Sequence, residues 1–362
     1  MRSGGREAAF FVAIPLAGGN ASLDPVTAIP LPDALRRLLD EGLERRRLGR
    51  RGRYAPSPTG PLHLGNLQTA LLSWLVSRLQ GGEWLLRIDD LDTPRNRAGA
   101  EAAILADLSW LGLSWDGPLI RQSERRGLYA TVLSSLRRAG ALYPCRCSRR
   151  LLADISAPHG RAPVYPGFCR PLPPRWGPED GRLPSWRLAV PPGLLCWPEQ
   201  LAAAGSLDAA QEVGDVVLRR ADGFLAYHLA TAVDELSLGV ADVVRGADLW
   251  SATGAQVALM ARLGAPPPRY WHTPLLRDAA GARLSKRQGG AGLQELQQQG
   301  LGAPAVVGRL AAGLGLVPAG SHLSPAELLQ SLSLETLQRQ LQRAVLASEP
   351  GLLSAADSPH QT

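Results

Sequence analysis

The sequence predicts an α/β protein: a doubly wound, Rossmann-like nucleotide-binding sheet, split by an inserted subdomain and closed by a short helical segment. Three observations carry that reading. Residues 51–141 alternate strand, turn, helix and strand, with "RGRYAPSPTGPLHLGN" running into an amphipathic stretch and then into the apolar strand "EWLLRI" at 83–88. Over 142–212 proline and glycine become dense, periodicity fades, and three of the four cysteines cluster between 145 and 169. Regular patterning returns over 213–275, where "DVVLRRADGFLAYHLATAVDEL" and "ADVVRGADL" place strand-like runs on either side of a helical one.

Taken in order, residues 1–50 form an extension. A helical pattern runs from Asp33 to Arg47 on Leu35, Leu38, Leu39 and Leu43, with Asp33 as its N-cap after Pro32. The basic stretch Glu44 to Arg53 that follows reads as a solvated charged leader more readily than as a helix touching RNA. The first half of the catalytic sheet then holds a strand at Arg53, a helix over Leu62–Leu79, the strand Glu83–Ile88 and helices near 98–111 and 123–139. Residues 142–212 are the insertion and 213–275 the second half of the sheet. Residues 276–362 carry a Gly-flanked Ser-Lys loop and helical, glutamine- and leucine-rich pieces.

Length and composition narrow the class. A chain of 362 residues suggests about two domains, and a monomer is expected. No stretch approaches the roughly 18–20 apolar residues of a membrane helix, and the apolar run Ala8–Ala17 has no small-residue cleavage site after it. Cysteines clustered in a chain of this size read as a cytosolic metal site rather than as disulfides. A net charge of +7 permits an anionic partner such as RNA. Of 39 basic residues besides histidine, a single one is lysine, Lys286. In such an arginine-biased chain it marks a place that needs a compact, mobile ammonium.

The candidate sites follow. "PTGPLHLGN" puts His63 in the first turn of a helix that follows a strand and a Pro/Gly turn, where free amides and the helix dipole receive phosphate. Gly65 leaves room there for a flat base. The loop "ARLSKR" at 282–287 can place Lys286 over the β- and γ-phosphates. In this order and at this distance, His63-Leu64-Gly65-Asn66 and Arg283-Leu284-Ser285-Lys286-Arg287 resemble the paired HIGH and KMSKS signatures of class I aminoacyl-tRNA synthetases. "APSPTGPLHLGN", "LLRIDDLDTPR", "DGFLAYHLATAVDE" and "VVRGADL" extend the resemblance over about residues 51–290, toward the glutamyl branch.

That resemblance implies roles. His63 and Lys286 are the expected catalytic residues, and with Gly65 they hold ATP, which arrives with Mg2+. Arg53, Tyr54, Ala55, Pro56 and Ser57 line an L-glutamate pocket, Asp89 takes the ammonium, and Tyr227 and Arg245 hold carboxylates. One acid and two guanidiniums suit a small dianion that carries one positive charge. Asp89 stands where Glu is more common, one methylene shorter, and His228 stands where Asn is common. Read alone, Asp89, Asp90 and Asp92 cap a helix or pair with Arg95 equally well. Cys145-x-Cys147 followed by Tyr165-x-x-x-Cys169 fits one structural Zn2+. The short relatives use a tyrosine where Tyr165 stands, while His159 is the chemical alternative.

After Lys286 only 76 residues of the chain remain, too few for anticodon-reaching domains at ordinary sizes. The chain therefore resembles the shortened glutamyl-queuosine tRNA(Asp) synthetases. The activity that implies is tRNA-independent activation of glutamate and its transfer to queuosine in the anticodon stem-loop of tRNA(Asp). Two alternatives stay open: a conventional glutamyl-tRNA synthetase catalytic domain that charges tRNA(Glu), and a non-catalytic RNA-binding paralogue.

Overall fold

The computed structural model describes residues 28–148, 151, 164–202, 204–275 and 292–348. Five parallel strands form the central sheet: β1 (Arg51–Tyr54), β2 (Glu83–Ile88), β3 (Ile120–Arg121), β9 (Asp242–Gly246) and β10 (Arg269–Thr273). Their order is β10-β9-β1-β2-β3. The chain leaves β1 toward β2 on one side and later returns as β9 on the other. That reversal opens a crevice at the carboxyl ends of β1 and β9, the usual ligand position in such sheets.

Alternation along the strands builds two cores. Val243 and Tyr270 face one cluster, while Val244 and Trp271 face the other. The first cluster holds α1 (Asp33–Leu48), α4 (Arg126–Arg138), α5 (Tyr227–Ser237) and α6 (Trp250–Arg262). The second is centred on α2 (Leu64–Leu79), whose Leu67, Leu71, Leu72 and Leu75 are at most 1 % exposed. Each such leucine stabilises the fold by about 1.5–3 kcal/mol. Also in that cluster are α3 (Ala100–Trp110), the short α7 (Leu293–Gln298), α8 (Ala303–Ala312), α9 (Pro325–Ser331) and α10 (Leu334–Ser348). At Gly52 the backbone of β1 touches α2, because a Cβ there would lie 2.1 Å from Ser77 Oγ. No described helix is long and apolar enough to cross a membrane.

Three local expectations change. Asp33 is the first helical residue of α1 and Pro32 precedes it, with no side-chain cap; the acid acts there only through the helix dipole. The basic stretch after it does not simply point to water. Arg45 donates to Ser237 O (3.3 Å), Arg46 to Pro266 O (2.8 Å) and Glu235 O (3.4 Å), and Arg51 to Leu238 O (2.7 Å). Three of these carbonyls lie at or just past the end of α5, where helix-end acceptors need partners, and Pro266 O lies just past α6.

The third change is topological. "DVVLRR" supplies β8 (Val216–Arg219), which joins the insertion rather than the parallel sheet. With β4 (Leu142–Cys145) and β5 (Ser185–Leu188) it forms an antiparallel sheet ordered β4-β5-β8. A hairpin of β6 (Leu194–Trp197) and β7 (Gly205–Asp208) completes the insertion. Strands of four residues leave no readable period in the sequence. Buried Asp215 ties this subdomain together, accepting from Val190 N (2.9 Å), Arg170 Nε (3.0 Å) and the Tyr143 hydroxyl.

Candidate active site

The first signature lies at the head of α2. His63 is its N-cap rather than a first-turn residue: Nδ1 accepts from Asn66 N (3.3 Å) and Asn66 Oδ1 accepts from His63 N (3.4 Å). The reciprocal pair satisfies two helix-end donors at once, which accounts for asparagine at the fourth position of the signature. Because Nδ1 accepts, the neutral ring carries its proton on Nε2, the tautomer able to donate to a phosphate oxygen. A Cβ on Gly65 would sit 3.1 Å from this imidazole, so glycine there makes room for the His63 ring as well as for a base. Lys286 and the rest of the Ser-Lys loop lie outside the described residues. The chain re-enters at Gly292, which bridges to the backbone of His63.

At the crevice between β1 and β9 the two arginines differ. Arg53 is buried and donates twice to Glu235 Oε1 (2.9 and 3.1 Å) and once to Val244 O (3.1 Å). Beside it, Arg87 grips both oxygens of Asp89 (2.7 and 3.2 Å) and approaches Asp234 at 3.6 Å. Asp234 also receives Arg125 Nε (2.7 Å), Gln122 Nε2 (3.0 Å) and Tyr129 OH (2.8 and 2.9 Å). Three guanidiniums, Arg53, Arg87 and Arg125, thus face three carboxylates, Asp89, Asp234 and Glu235. Burial raises the pKa of Asp89 although Arg87 opposes it. For Arg87 burial works against the charge, but Asp89 and Asp234 outweigh it and the net direction is up.

Among the described residues Arg245 has no such counter-charge. It lies 3 % exposed on β9 and donates to Gln256 Oε1 (2.9 Å), to Thr253 Oγ1 and toward His272 Nε2 (3.4 Å), with the Tyr270 ring 4.8 Å away. Among the described residues no carboxylate pairs with it. A buried, unneutralised cation is costly unless an anion arrives. Tyr227, the first residue of α5, is 40 % exposed, with His228 next to it. Burial and the Arg245 charge hold the His228 ring down to about 4.

Other expected residues fall differently. The Tyr54 ring stacks on Trp84 inside the core at 6.2 Å, so only its backbone borders the crevice. Pro56 O accepts from Asp89 N (3.0 Å), binding the Ala55–Ser57 turn to the end of β2, and Ser57 is exposed. Asp90 caps Ser123 N at 2.8 Å, and Asp92 pairs with Arg95 at 2.7 Å and Arg220 at 3.2 Å. Sequence reasoning passed over Glu235, Asp234, Arg87, His272 and Glu199. Two consecutive acids inside the apolar helix "ATAVDEL" and an arginine inside "EWLLRI" were the available signals.

A second cluster sits in the insertion. The sulfurs of Cys145, Cys147 and Cys169 lie within 4.8 Å of one another, with Cys147 and Cys169 at 3.6 Å. Tyr165 OH is 3.5 Å from both Cys145 and Cys147 and accepts from Cys169 N (2.9 Å). A zinc tetrahedron with ordinary bond lengths has S···S edges of about 3.8 Å and S···O edges of about 3.5 Å; the Cys147–Cys169 pair and the two Tyr165 contacts are close to those edges, and the three thiols could hold a metal ion. The Arg187 guanidinium lies over the Tyr165 ring, 3.9 Å from its centroid. His159 lies outside the described residues.

Known proteins were compared with the chain. The family model described as tRNA synthetases class I (E and Q), catalytic domain, matches residues 51–322. A Glutamyl-Q tRNA(Asp) synthetase of Prochlorococcus marinus (strain MIT 9303) is 57 % identical over 306 residues, 84 % of this chain and 95 % of that protein. One of Synechococcus sp. (strain CC9605) is 56 % identical, covering 85 % and 98 %. Among solved structures, a glutamate tRNA ligase from Elizabethkingia meningosepticum, in complex with its amino acid, superposes with a TM-score of 0.67 at 27 % identity. The match covers 80 % of this chain and 65 % of that ligase. A signature histidine capping α2, a buried arginine that faces no carboxylate among the described residues at the sheet's switch point and these matches agree: the chain belongs to the class I tRNA synthetase family of the E and Q type.

Proposed function

We propose that the protein activates L-glutamate with ATP, without needing tRNA, and transfers the glutamyl group to queuosine at the wobble position of tRNA(Asp). The observation that carries the glutamate half is Arg245, a buried guanidinium surrounded by neutral acceptors at the crevice. The queuosine half is supported by relatives of nearly the same length named Glutamyl-Q tRNA(Asp) synthetase. The reading needs little covalent work from the protein. A carboxylate oxygen of glutamate attacks the α-phosphorus of Mg2+-bound ATP, and the bond to the bridging oxygen breaks to release pyrophosphate. His63, protonated on Nε2, donates to the phosphoryl oxygens, and Lys286 neutralises the departing charge. Asp89 receives the ammonium at the lone pairs that Arg87 leaves open, and Tyr227 closes the amino-acid side. A ring hydroxyl of queuosine then attacks the activated carbonyl and AMP leaves.

The decisive experiment is glutamate-dependent ATP–pyrophosphate exchange without tRNA, followed by transfer to tRNA(Asp) carrying or lacking queuosine. Exchange with glutamate and transfer to the queuosine form alone are expected; charging of unmodified tRNA(Glu) would favour the conventional synthetase. Lys286→Ala should slow exchange by at least about a hundredfold with the fold intact.

We also assign Cys145, Cys147, Tyr165 and Cys169 to one structural Zn2+. When bound it would hold the two ends of the insertion loop together and take no part in the chemistry. Metal analysis should find about one zinc per chain, lost in Cys147→Ser. Protein purified without chelators and free of zinc would end this assignment.

A further inference from the structure

Arg245 is held by a line of buried groups that starts in the insertion. Glu199, between β6 and β7, reaches the central sheet as an extra short strand: Tyr270 N donates to Pro198 O (2.8 Å) and Gln200 N to Tyr270 O (2.9 Å). Gln338 and Gln342 of α10 fasten this segment from outside by donating to Gln200 O at 2.8 and 3.2 Å. Among the described residues the Glu199 carboxyl meets only nitrogen partners. Oε1 accepts from the backbone of His272, Gln200 and Leu201, each at 3.2 Å, and Oε2 lies 2.6 Å from His272 Nδ1. Three backbone N–H groups hold the carboxyl as an ionised acceptor, and an ionised Oε2 at this distance takes the imidazole proton on Nδ1.

That tautomer leaves a lone pair on His272 Nε2, which faces Thr253 Oγ1 at 2.9 Å and Arg245 Nε at 3.4 Å. In that tautomer the Thr253 hydroxyl, which also lies 3.2 Å from Leu249 O, turns its proton to the nearer Nε2 and accepts from Arg245 Nη2. The opposite tautomer would set Nε2–H against Arg245 Nε–H, donor to donor. Glu199 therefore orients the acceptors around Arg245 from one imidazole away. It does so without touching the guanidinium, whose charge stays available.

We propose that Glu199 and His272 are positioning residues for glutamate recognition: they fix the Arg245 fork so that it meets a carboxylate and disfavours an amide. The inference rests on the reading that Arg245 receives a substrate carboxylate. It makes the insertion part of the specificity apparatus, since Glu199 is an insertion residue.

Two measurements on the full chain test it. In protein labelled with 15N-histidine, the His272 resonances, identified by their loss in His272→Gln, should report the Nδ1–H form, and Glu199→Gln should abolish that preference. An Nε2–H form in the unaltered protein would overturn the proposal. In pyrophosphate exchange, Glu199→Gln should raise KM for glutamate by roughly tenfold or more, on the scale of a lost oriented interaction. KM for ATP should stay within about twofold, and preference for glutamate over glutamine should fall. His272→Leu should do the same, whereas His272→Gln, whose amide oxygen reaches the Nε2 position, should recover most of the glutamate affinity. Equal losses for ATP and glutamate, or no difference between the two His272 variants, would reduce these residues to fold support and sink the inference. Unaltered protein that fails to activate glutamate would instead overturn the functional reading, and normal activity with insensitive variants would overturn the inference alone.

Discussion

Arg53 and Arg245 stand on neighbouring strands at one crevice, both at most 5 % exposed, yet their surroundings are opposite. Arg53 belongs to a closed set in which three arginines face three acids. Arg245 is held by a threonine, a glutamine and a histidine, none of them anionic toward it. A buried charge that is already matched has little attraction left for a ligand, and removing one partner strands the other. A buried charge held in place by neutral groups keeps its attraction for the first anion that fits. Within the proposed function, the matched set supports the crevice and offers the ammonium only the open lone pairs of Asp89, while the unmatched arginine is the place for a carboxylate. Similar composition and equal burial thus yield different roles, decided by which neighbours carry charge.

The comparison can be broken experimentally, and the largest effect is expected at Arg245. Arg245→Gln should lower kcat/KM for glutamate by about a thousandfold while changing glutamine much less, because a carboxylate accepts both prongs of a guanidinium and an amide cannot. Equal losses for the two amino acids would mean that Arg245 holds a group common to both.

Arg53 should answer in stability first. Arg53→Gln leaves Glu235 buried and unmatched, so unfolding should become easier by about 3–5 kcal/mol. Removing both charges, Arg53→Gln with Glu235→Gln, should recover much of that loss. A stable Arg53→Gln protein with selectively weakened glutamate binding would move Arg53 from support to reception, as the family resemblance implied.

The smallest effect concerns an acid outside the matched set. Asp107, on α3, accepts from Leu62 N, and among the described residues no guanidinium pairs with it; burial raises it to about 6. Its folded value exceeds the unfolded one near 3.8, so the folded state binds the extra proton between those values. Stability is then fully retained below about 3.8 and falls as pH rises toward 6. Asp107→Asn should keep the hydrogen bond and raise the melting temperature by about 2 °C at pH 7.5, with little change at pH 4. The same gain at both pH values would remove the charge argument.

Much of this was legible in the chain. The strand–turn–helix order that places His63 needs only local pattern and chemistry, and the gathering of Cys145, Cys147 and Cys169 follows from side-chain type at short range. Strands β1, β2 and β9 and the helical C-terminal pieces appeared where apolar patterning put them. Two things were not legible. Strands of four residues, such as β5 and β8, are too short to carry a period, so the insertion's sheets and the allegiance of β8 emerged only from pairing. The second was which partner each charge has. Arg53 meets Glu235 across 182 positions and Arg87 meets Asp234 across 147, while Glu199 reaches His272 across 73. Burial makes such pairings obligatory, yet no local rule says which distant residue will supply them. The sequence by itself determined the family's signatures and the elements that bear them. Only tertiary structure decided which arginine is neutralised and which, among the described residues, faces no carboxylate, because that depends on what packs beside each guanidinium.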